Sequence, residues 1–154
     1  MLRSARRLSF DEQAFHPCPQ DRATVMALLA SESRKRDDAL LEANSLDTRV
    51  EATYDACFNI ALAVLNAQGW KARPLPAHHR HTLEAACEAI GASAGLFDRV
   101  DAIRDVRNQK YTGVSRNRKD YEFSLKVLDE FAQVASAWFA ARHPALLNPG
   151  AGSV

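Results

Sequence analysis

The sequence predicts an all-α protein, built as an up-and-down bundle of four to five helices. Apolar residues recur at helical spacings through most of the chain, and no segment alternates apolar and polar residues as a half-buried strand would. Prolines and glycines fall between the helical segments, where short turns would join neighbouring helices. With 154 residues, of which 47% are hydrophobic and 25% charged, the chain is long enough to bury a core in one domain.

The chain divides into three parts. We expect residues 1–19 to form an irregular N-terminal arm, since HPCPQ contains two prolines, which resist helix formation. Residues 20–143 would form the helical-bundle domain, and residues 144–154 a loose C-terminal tail. The N-terminal charges are not followed by an apolar run, and no window approaches the ~20 apolar residues of a membrane span. We therefore expect a cytoplasmic protein that does not enter a membrane.

The cysteines give no indication of a disulfide framework. Cys18, Cys57 and Cys87 are odd in number and far apart in the sequence. Cys57 and Cys87 fall within helical patterns, which favours an interpretation as small buried hydrophobic residues.

The first two helices are separated by a polar turn. The first runs from residues 20–21 to about Ala43, and its middle, SESRKRDD, is either exposed or a break in the helix. Thr48 and Glu51 have the spacing of a capping box, which predicts that the second helix begins there and ends near Gly69. Apolar residues cover much of this second helix, so it belongs at the centre of a bundle.

The third helix carries three histidines near its start. WKARPLP separates it from the second helix, and Pro76 suits its first turn. His78, His79 and His81 are possible metal ligands, but no cysteine, aspartate or further histidine in the sequence completes a set. We therefore expect structural or solvent-facing histidines, with no metal and no cofactor. One of them lying beside the basic region of the fourth helix, as a supporting cation, is the alternative.

The fourth helix begins near Ser93 and ends near Gly113. Its apolar residues recur at spacings of three, which places them near one face. Arg104, Arg107 and Tyr111 follow each other at spacings of three and four, so they form a polar row on one side. A fifth helix, with Asn117 as a possible cap, continues to Pro144.

Basic residues are concentrated at the end of the fourth helix and the turn after it. A single acid, Asp105, accompanies six cations, so the local charge is +5 in a chain of net charge +1: Arg104, Arg107, Lys110, Arg116, Arg118 and Lys119. A solvated helix end, whose cations complement the helix dipole, would explain such a region. The pair Arg107 and Asn108 instead favours a phosphate site, because arginine presents a planar fork to phosphate oxygens and asparagine can orient it or a ribose hydroxyl.

Three segments in this order resemble the HEPN superfamily, the higher eukaryotes and prokaryotes nucleotide-binding helical bundles. They are RVEATYDACFNIALAVLNAQG, PAHHRHTLEAACEAIG and RDVRNQKYTG, and the resemblance covers roughly residues 21–141. Active members are metal-independent endoribonucleases, often toxins of toxin–antitoxin or defence systems. They usually dimerise, so that two motifs face one cleft. The resemblance thus implies an HEPN-like bundle, a homodimer that acts on RNA, and an antitoxin or nucleotidyltransferase as a possible protein partner.

The specific part of the resemblance is the Arg-Asn pair. The family motif is an arginine, a polar residue that is often asparagine, and a histidine several residues later. Arg107 and Asn108 match it, but the next histidine is His143, and Tyr111 stands nearer the expected place. The resemblance implies catalytic roles for Arg107, Asn108 and Tyr111. The other cations of the region, Arg104, Lys110, Arg116, Arg118 and Lys119, are expected to bind RNA.

The missing motif histidine leaves the proton-transfer role open. Tyrosine has an ordinary pKa near 10 and is a poor proton shuttle near neutral pH, so Tyr111 and a histidine from residues 78–81 are both candidates. Three functions follow. The first is a metal-independent endoribonuclease, and the second is a non-catalytic HEPN-like bundle that binds RNA, nucleotide or a partner such as a nucleotidyltransferase. The third is a helical interaction module whose basic region meets an acidic protein.

Overall fold

The computed structural model describes residues 14–74 and 78–147, apart from the side chain of Lys110. In chain order its elements are β1 (Phe15–Pro17), α1 (Arg22–Leu40), α2 (Leu46–Ala67), β2 (Trp70–Ala72), α3 (His78–Ala89), α4 (Ala94–Asn108), a 3-10 turn (Gln109–Thr112), α5 (Arg118–Arg142) and α6 (Pro144–Leu147). The described residues form a helical bundle with one small sheet, which confirms the predicted all-α fold class. Within these residues, no helix combines the length and apolarity needed to cross a bilayer.

The central element is α2, which contacts α1, α3, α4 and α5. Its inward row repeats at spacings of three and four and is almost completely removed from solvent: Val50, Tyr54, Cys57, Ala61 and Val64. Burying one such apolar side chain is worth about 1.5–3 kcal/mol, so this row contributes strongly to stability. The predicted central position of the second helix is confirmed, and so is the burial of Cys57 and Cys87.

The helix starts depend on side-chain caps. Asn117 and Asp120 form a reciprocal capping box at the start of α5, as the asparagine predicted. The predicted start of the second helix is wrong by one turn, because Ser45 caps α2 and accepts a hydrogen bond from the backbone N–H of Thr48 at 3.1 Å. Serine and threonine have the same capping chemistry, and the alternative box of Thr48 and Glu51 lies inside the helix.

Two helices are shorter than predicted. The helix α1 ends at Leu40 rather than near Ala43, although it runs unbroken through its polar middle. The helix α4 ends at Asn108, and the chain tightens into the 3-10 turn before Gly113, which has a positive φ of 79°. Helix ends commonly tighten in this way when their last carbonyls lack α-helical partners.

Both ends of the chain contain more regular structure than predicted. The strand β1 pairs antiparallel with β2, with Phe15 opposite Ala72, so part of the expected irregular arm is a strand. Phe15 is completely buried in a small cluster with Leu65 and Ala85. The helix α6 occupies the first part of the predicted loose tail, and its Leu146 is buried in the main core. Three- and four-residue elements are too short to show a hydrophobic period. Residues 1–13 of the predicted arm and 148–154 of the predicted tail lie outside the described residues.

Candidate functional site

The side chain of Arg107 is placed by the core of the bundle. It lies near the end of α4, and its guanidinium carbon is 4.9 Å from the centre of the Tyr54 ring on α2. Its Nε is 3.9 Å from Oε1 of Glu51, and the side chain is 23% exposed. Tyr54 is only 1% exposed, so the surface beneath the guanidinium is fixed. Arg107 is therefore held in a defined position while part of its side chain remains accessible to solvent.

The hydrogen bonds of Arg107 differ from those of neighbouring arginines. The Nε of Arg104 donates to Asp101 at 3.1 Å, and Arg80 donates to the other oxygen of the same carboxylate. Within residues 14–74 and 78–147, no acceptor lies within hydrogen-bonding distance of the Arg107 guanidinium, and its Nε is buried. The buried Nε is out of reach of a ligand, so a ligand would bind the terminal amino groups of Arg107. Arg80 and Arg104, in contrast, already use some of their donors within the protein.

His79 belongs to the same cluster as Arg107. Its Nδ1 lies 2.8 Å from the hydroxyl oxygen of Tyr54, and its ring stacks on Phe58 with 4.2 Å between ring centres. His78 meets both Phe58 and His79 edge-on. Sequence reasoning could not separate His79 from the other two histidines, because its partner Tyr54 is on a different helix. Tyr54 thus contacts His79 of α3 through its hydroxyl and Arg107 of α4 through the face of its ring.

Burial keeps the Tyr54–His79 pair uncharged near neutral pH. Burial lowers the pKa of His79, and the electrostatic effects of His78, Arg107 and Arg104 lower it further. Burial also raises the pKa of Tyr54 to about 12, although Arg107 and Arg104 act in the opposite direction. The expectation that a histidine supports the basic region is met in position only, since a lowered pKa favours the neutral imidazole.

Carboxylates offset many of the cations around Arg107. Lys35 lies 3.5 Å from Asp55, and burial raises the pKa of Asp55 while Lys35 and Arg107 lower it. Asp101 similarly holds Arg80 and Arg104. The positive field at this surface is therefore weaker than the local charge in the sequence indicates.

The remaining residues of the predicted catalytic set are exposed. Asn108 is the last residue of α4, directly beside Arg107, and it faces solvent. Tyr111 lies in the 3-10 turn and is 80% exposed. Arg107 and Asn108 are consecutive residues at the end of α4, and Tyr111 follows them in the 3-10 turn.

The predicted RNA-binding cations separate into exposed and buried groups. Arg116 is 4% exposed, its backbone N–H donates to Oδ1 of Asp47, and its guanidinium donates to the Val114 carbonyl. These bonds hold the turn against the start of α2. The burial of Arg116 does not favour direct contact with RNA, and its predicted RNA-binding role stays a prediction. Arg118 and Lys119 are exposed at the start of α5, where Arg118 lies 3.9 Å from Glu122. Lys110 lies in the 3-10 turn, and its side chain is outside the described residues.

Two clefts lie away from this surface. One, of about 540 Å³, lies between the ends of α3 and α5 and is lined by Trp138 and His143. The other, of about 350 Å³, is lined by Cys18, Leu62 and Trp70 near the small sheet. Arg107 lines neither cleft. Among the described residues, no three histidine, cysteine, aspartate or glutamate side chains are grouped as metal ligands.

Comparison with known proteins leaves the function to be argued from the site itself. No protein-family model matches the chain, and no curated protein or solved structure shows significant similarity to it.

Proposed function

We propose that the chain is an HEPN-like, metal-independent endoribonuclease in which Arg107 binds the phosphate of the RNA backbone. The observation that supports this proposal is the position and the hydrogen bonding of the Arg107 guanidinium. The guanidinium is oriented over the buried ring of Tyr54, yet it has no hydrogen-bond acceptor among the described residues. A planar guanidinium matches two oxygens of a phosphate, and donors that are already oriented need little reorganisation when charge builds up there.

Neighbouring side chains extend the phosphate site. Asn108 is exposed next to Arg107 and offers both a donor and an acceptor for a phosphate oxygen or a 2′-hydroxyl. Arg104 adds positive potential from one turn earlier, although its hydrogen bond to Asp101 limits its own contacts. Arg118 and Lys119 supply exposed charge for holding the strand. Contacts of this kind to the RNA backbone make binding dependent on salt concentration.

The proposed reaction needs little from the protein beyond positioning and charge. RNA carries its own nucleophile, the 2′-hydroxyl, so the site has to align that oxygen with the phosphorus and stabilise the charge on phosphate. A homodimer with a twofold axis would place two copies of Arg107 across one cleft. We propose a cytoplasmic role as a toxin or defence effector, with an antitoxin or nucleotidyltransferase as the protein partner.

A second candidate is RNA binding without cleavage. The exposure of Tyr111 favours it, because a side chain that is 80% exposed is mostly surrounded by water, whereas a proton-transfer group works best when it is buried beside the reacting atoms. On this alternative, Arg107 and Asn108 bind the RNA backbone and no bond is broken. Stable binding by wild-type protein that leaves every tested RNA intact would support this candidate over the first.

The decisive experiment is RNA cleavage in chelator by purified wild type, Arg107→Ala, Arg107→Lys and Lys119→Ala. We expect Arg107→Ala to lose cleavage and Arg107→Lys to recover little, because an ammonium cannot replace the planar fork. Lys119→Ala is the matched control, since it loses the same charge from an exposed position. Cleavage by Arg107→Ala at the wild-type rate would refute the proposed role of Arg107.

A further inference from the structure

We propose that His79, held by the hydroxyl of Tyr54, is the proton acceptor of the Arg107 site. This inference rests on the proposed function. It assigns the proton-transfer role to His79 because α4 lacks the histidine that has this role in the family motif. The argument starts from geometry. His79 reaches Tyr54 with its Nδ1 at 2.8 Å, and Arg107 lies over the ring of the same tyrosine at 4.9 Å. The proposed phosphate-binding Arg107 and the imidazole of His79 therefore both contact the buried side chain of Tyr54.

Packing against neighbouring rings fixes the orientation of the His79 imidazole. The face of His79 stacks on Phe58 with an interplanar angle of 15°, and its ring is also nearly parallel to that of Tyr54. With Nδ1 directed at the tyrosine hydroxyl, Nε2 is the nitrogen left for a ligand. In the tautomer that carries its proton on Nδ1, the imidazole donates to the Tyr54 oxygen and Nε2 bears the lone pair that accepts a proton.

The charged groups around His79 favour its role as proton acceptor only when RNA is bound. The hydroxyl of Tyr54 faces the imidazole from α2, His78 lies beside it on α3, and Arg104 and Arg107 act on it from α4. In the free protein, burial and these positive charges lower the pKa of His79. A phosphate bound at Arg107 would offset those charges, so it would raise the pKa of His79 towards neutrality.

The proposed step is balanced. Nε2 of His79 takes the proton of the 2′-hydroxyl, and the oxygen uses the freed electron pair to form a bond to phosphorus. The bond between phosphorus and the 5′-oxygen breaks, and its electron pair leaves with that oxygen, which takes a proton from water. His79 then returns its proton to solvent. The products are a 2′,3′-cyclic phosphate and a 5′-hydroxyl end, and no group is oxidised or reduced.

Histidine titration by NMR tests this inference without requiring turnover. The probe is a short single-stranded RNA whose 2′-oxygens are methylated, so it has no nucleophile. On binding, we expect the pKa of His79 to rise by about one unit, the size of shift that a nearby opposite charge produces. At fixed pH, the ring signals of His81, on the same helix, should keep their positions when the RNA binds. Arg107→Ala should weaken the binding about 10- to 100-fold, and at RNA concentrations that saturate only the wild type the shift of His79 should be lost.

Cleavage kinetics give the second measurement. We expect His79→Gln to lower kcat by at least ~100-fold with little change in KM, the usual effect of removing a proton-transfer group. The matched control is His81→Gln, which removes another partly exposed histidine of α3 and should cleave normally. Tyr54→Phe keeps the ring beneath Arg107 but removes the hydroxyl, so it should lower kcat and move the acidic limb of the pH profile.

The two proposals fail in different ways. Binding of the methylated RNA that does not depend on Arg107 would overturn the proposed phosphate site. Binding that depends on Arg107 while the pKa of His79 stays constant would overturn only the role of His79. A wild-type rate and pH profile in His79→Gln, measured beside an inactive Arg107→Ala, would have the same meaning. RNA ends that carry a 5′-phosphate would also contradict the proposed step.

Discussion

Replacing Arg107 by alanine should separate the cost in stability from the cost in function. The guanidinium stacks on a buried tyrosine ring at 4.9 Å, a cation–π contact worth about 1 kcal/mol at a partly exposed site. The ion pair with Glu51 is long, at 3.9 Å, and both side chains reach solvent, so it adds at most ~0.5 kcal/mol. Removing a buried Nε that has no acceptor among the described residues offsets about 1 kcal/mol of these losses. We expect Arg107→Ala to fold normally and to lose about 1 kcal/mol or less in its free energy of unfolding.

The expected loss of RNA affinity is larger than the loss of stability. Hydrogen bonds to a charged partner contribute about 1.5–3 kcal/mol each, so losing this contact should weaken RNA binding about 10- to 100-fold. Lys119→Ala removes the same charge from an exposed position at the start of α5. It should leave stability within ~0.5 kcal/mol of wild type and weaken binding mainly at low salt. Each lost phosphate contact should also reduce the slope of log affinity against log salt by about 0.7 for a single strand.

Urea denaturation and fluorescence anisotropy at several salt concentrations measure the two quantities separately. Arg107→Ala should lose affinity at every salt concentration, whereas the loss in Lys119→Ala should shrink as salt increases. Equal and mild losses in both variants would mean that the basic region acts through bulk charge alone, and the ribonuclease proposal would then fall.

Four further predictions concern assembly, metal, the turn before α5 and pH. Light scattering should show a homodimer, since the proposed cleft needs one Arg-Asn pair from each of two copies, and a monomer at high micromolar concentration would count against it. Exhaustive chelation should change neither the fold nor any cleavage, and a loss restored by zinc would show that the histidines bind metal. Asp47→Ala should lower stability by about 1 kcal/mol, because it removes the acceptor for the Arg116 backbone N–H, while the salt dependence of RNA binding stays as in wild type. If RNA binding by Asp47→Ala depended less on salt than binding by wild type, that result would show that Arg116 contributes to RNA binding. Because the folded-state pKa of His79 is lowered, its contribution to stability is present above its ordinary pKa of about 6.5 and is lost as pH falls through the lowered value. Urea midpoints measured between about pH 7 and pH 5 should therefore vary less in His79→Gln than in wild type, and an unchanged pH dependence would contradict this assignment.

Local interactions explain which parts of the fold the sequence predicted. The cap at Asn117 uses a partner only three residues away, and the apolar row of α2 repeats within a single helix, so both can be recognised from spacing alone. The start of α2 was misplaced because Ser45 and Thr48 have the same capping chemistry one turn apart. The strand β1 was missed because its pairing partner is β2, more than fifty residues later, and neither strand is long enough to show a period.

By itself, the sequence determined an all-α bundle around a buried second helix and pointed to Arg107 and Asn108 as neighbours at a helix end. Only the tertiary structure decided which polar residues are accessible and which act together. Arg116 and Lys119 are equivalent in a count of charges, yet the first is buried against the turn and the second is exposed. His79 is set apart from His81 by its contacts with Tyr54 and Phe58, which both lie on another helix. The physical reason is that helical periodicity is a local property, whereas burial, pKa and the partners of a side chain depend on packing between helices.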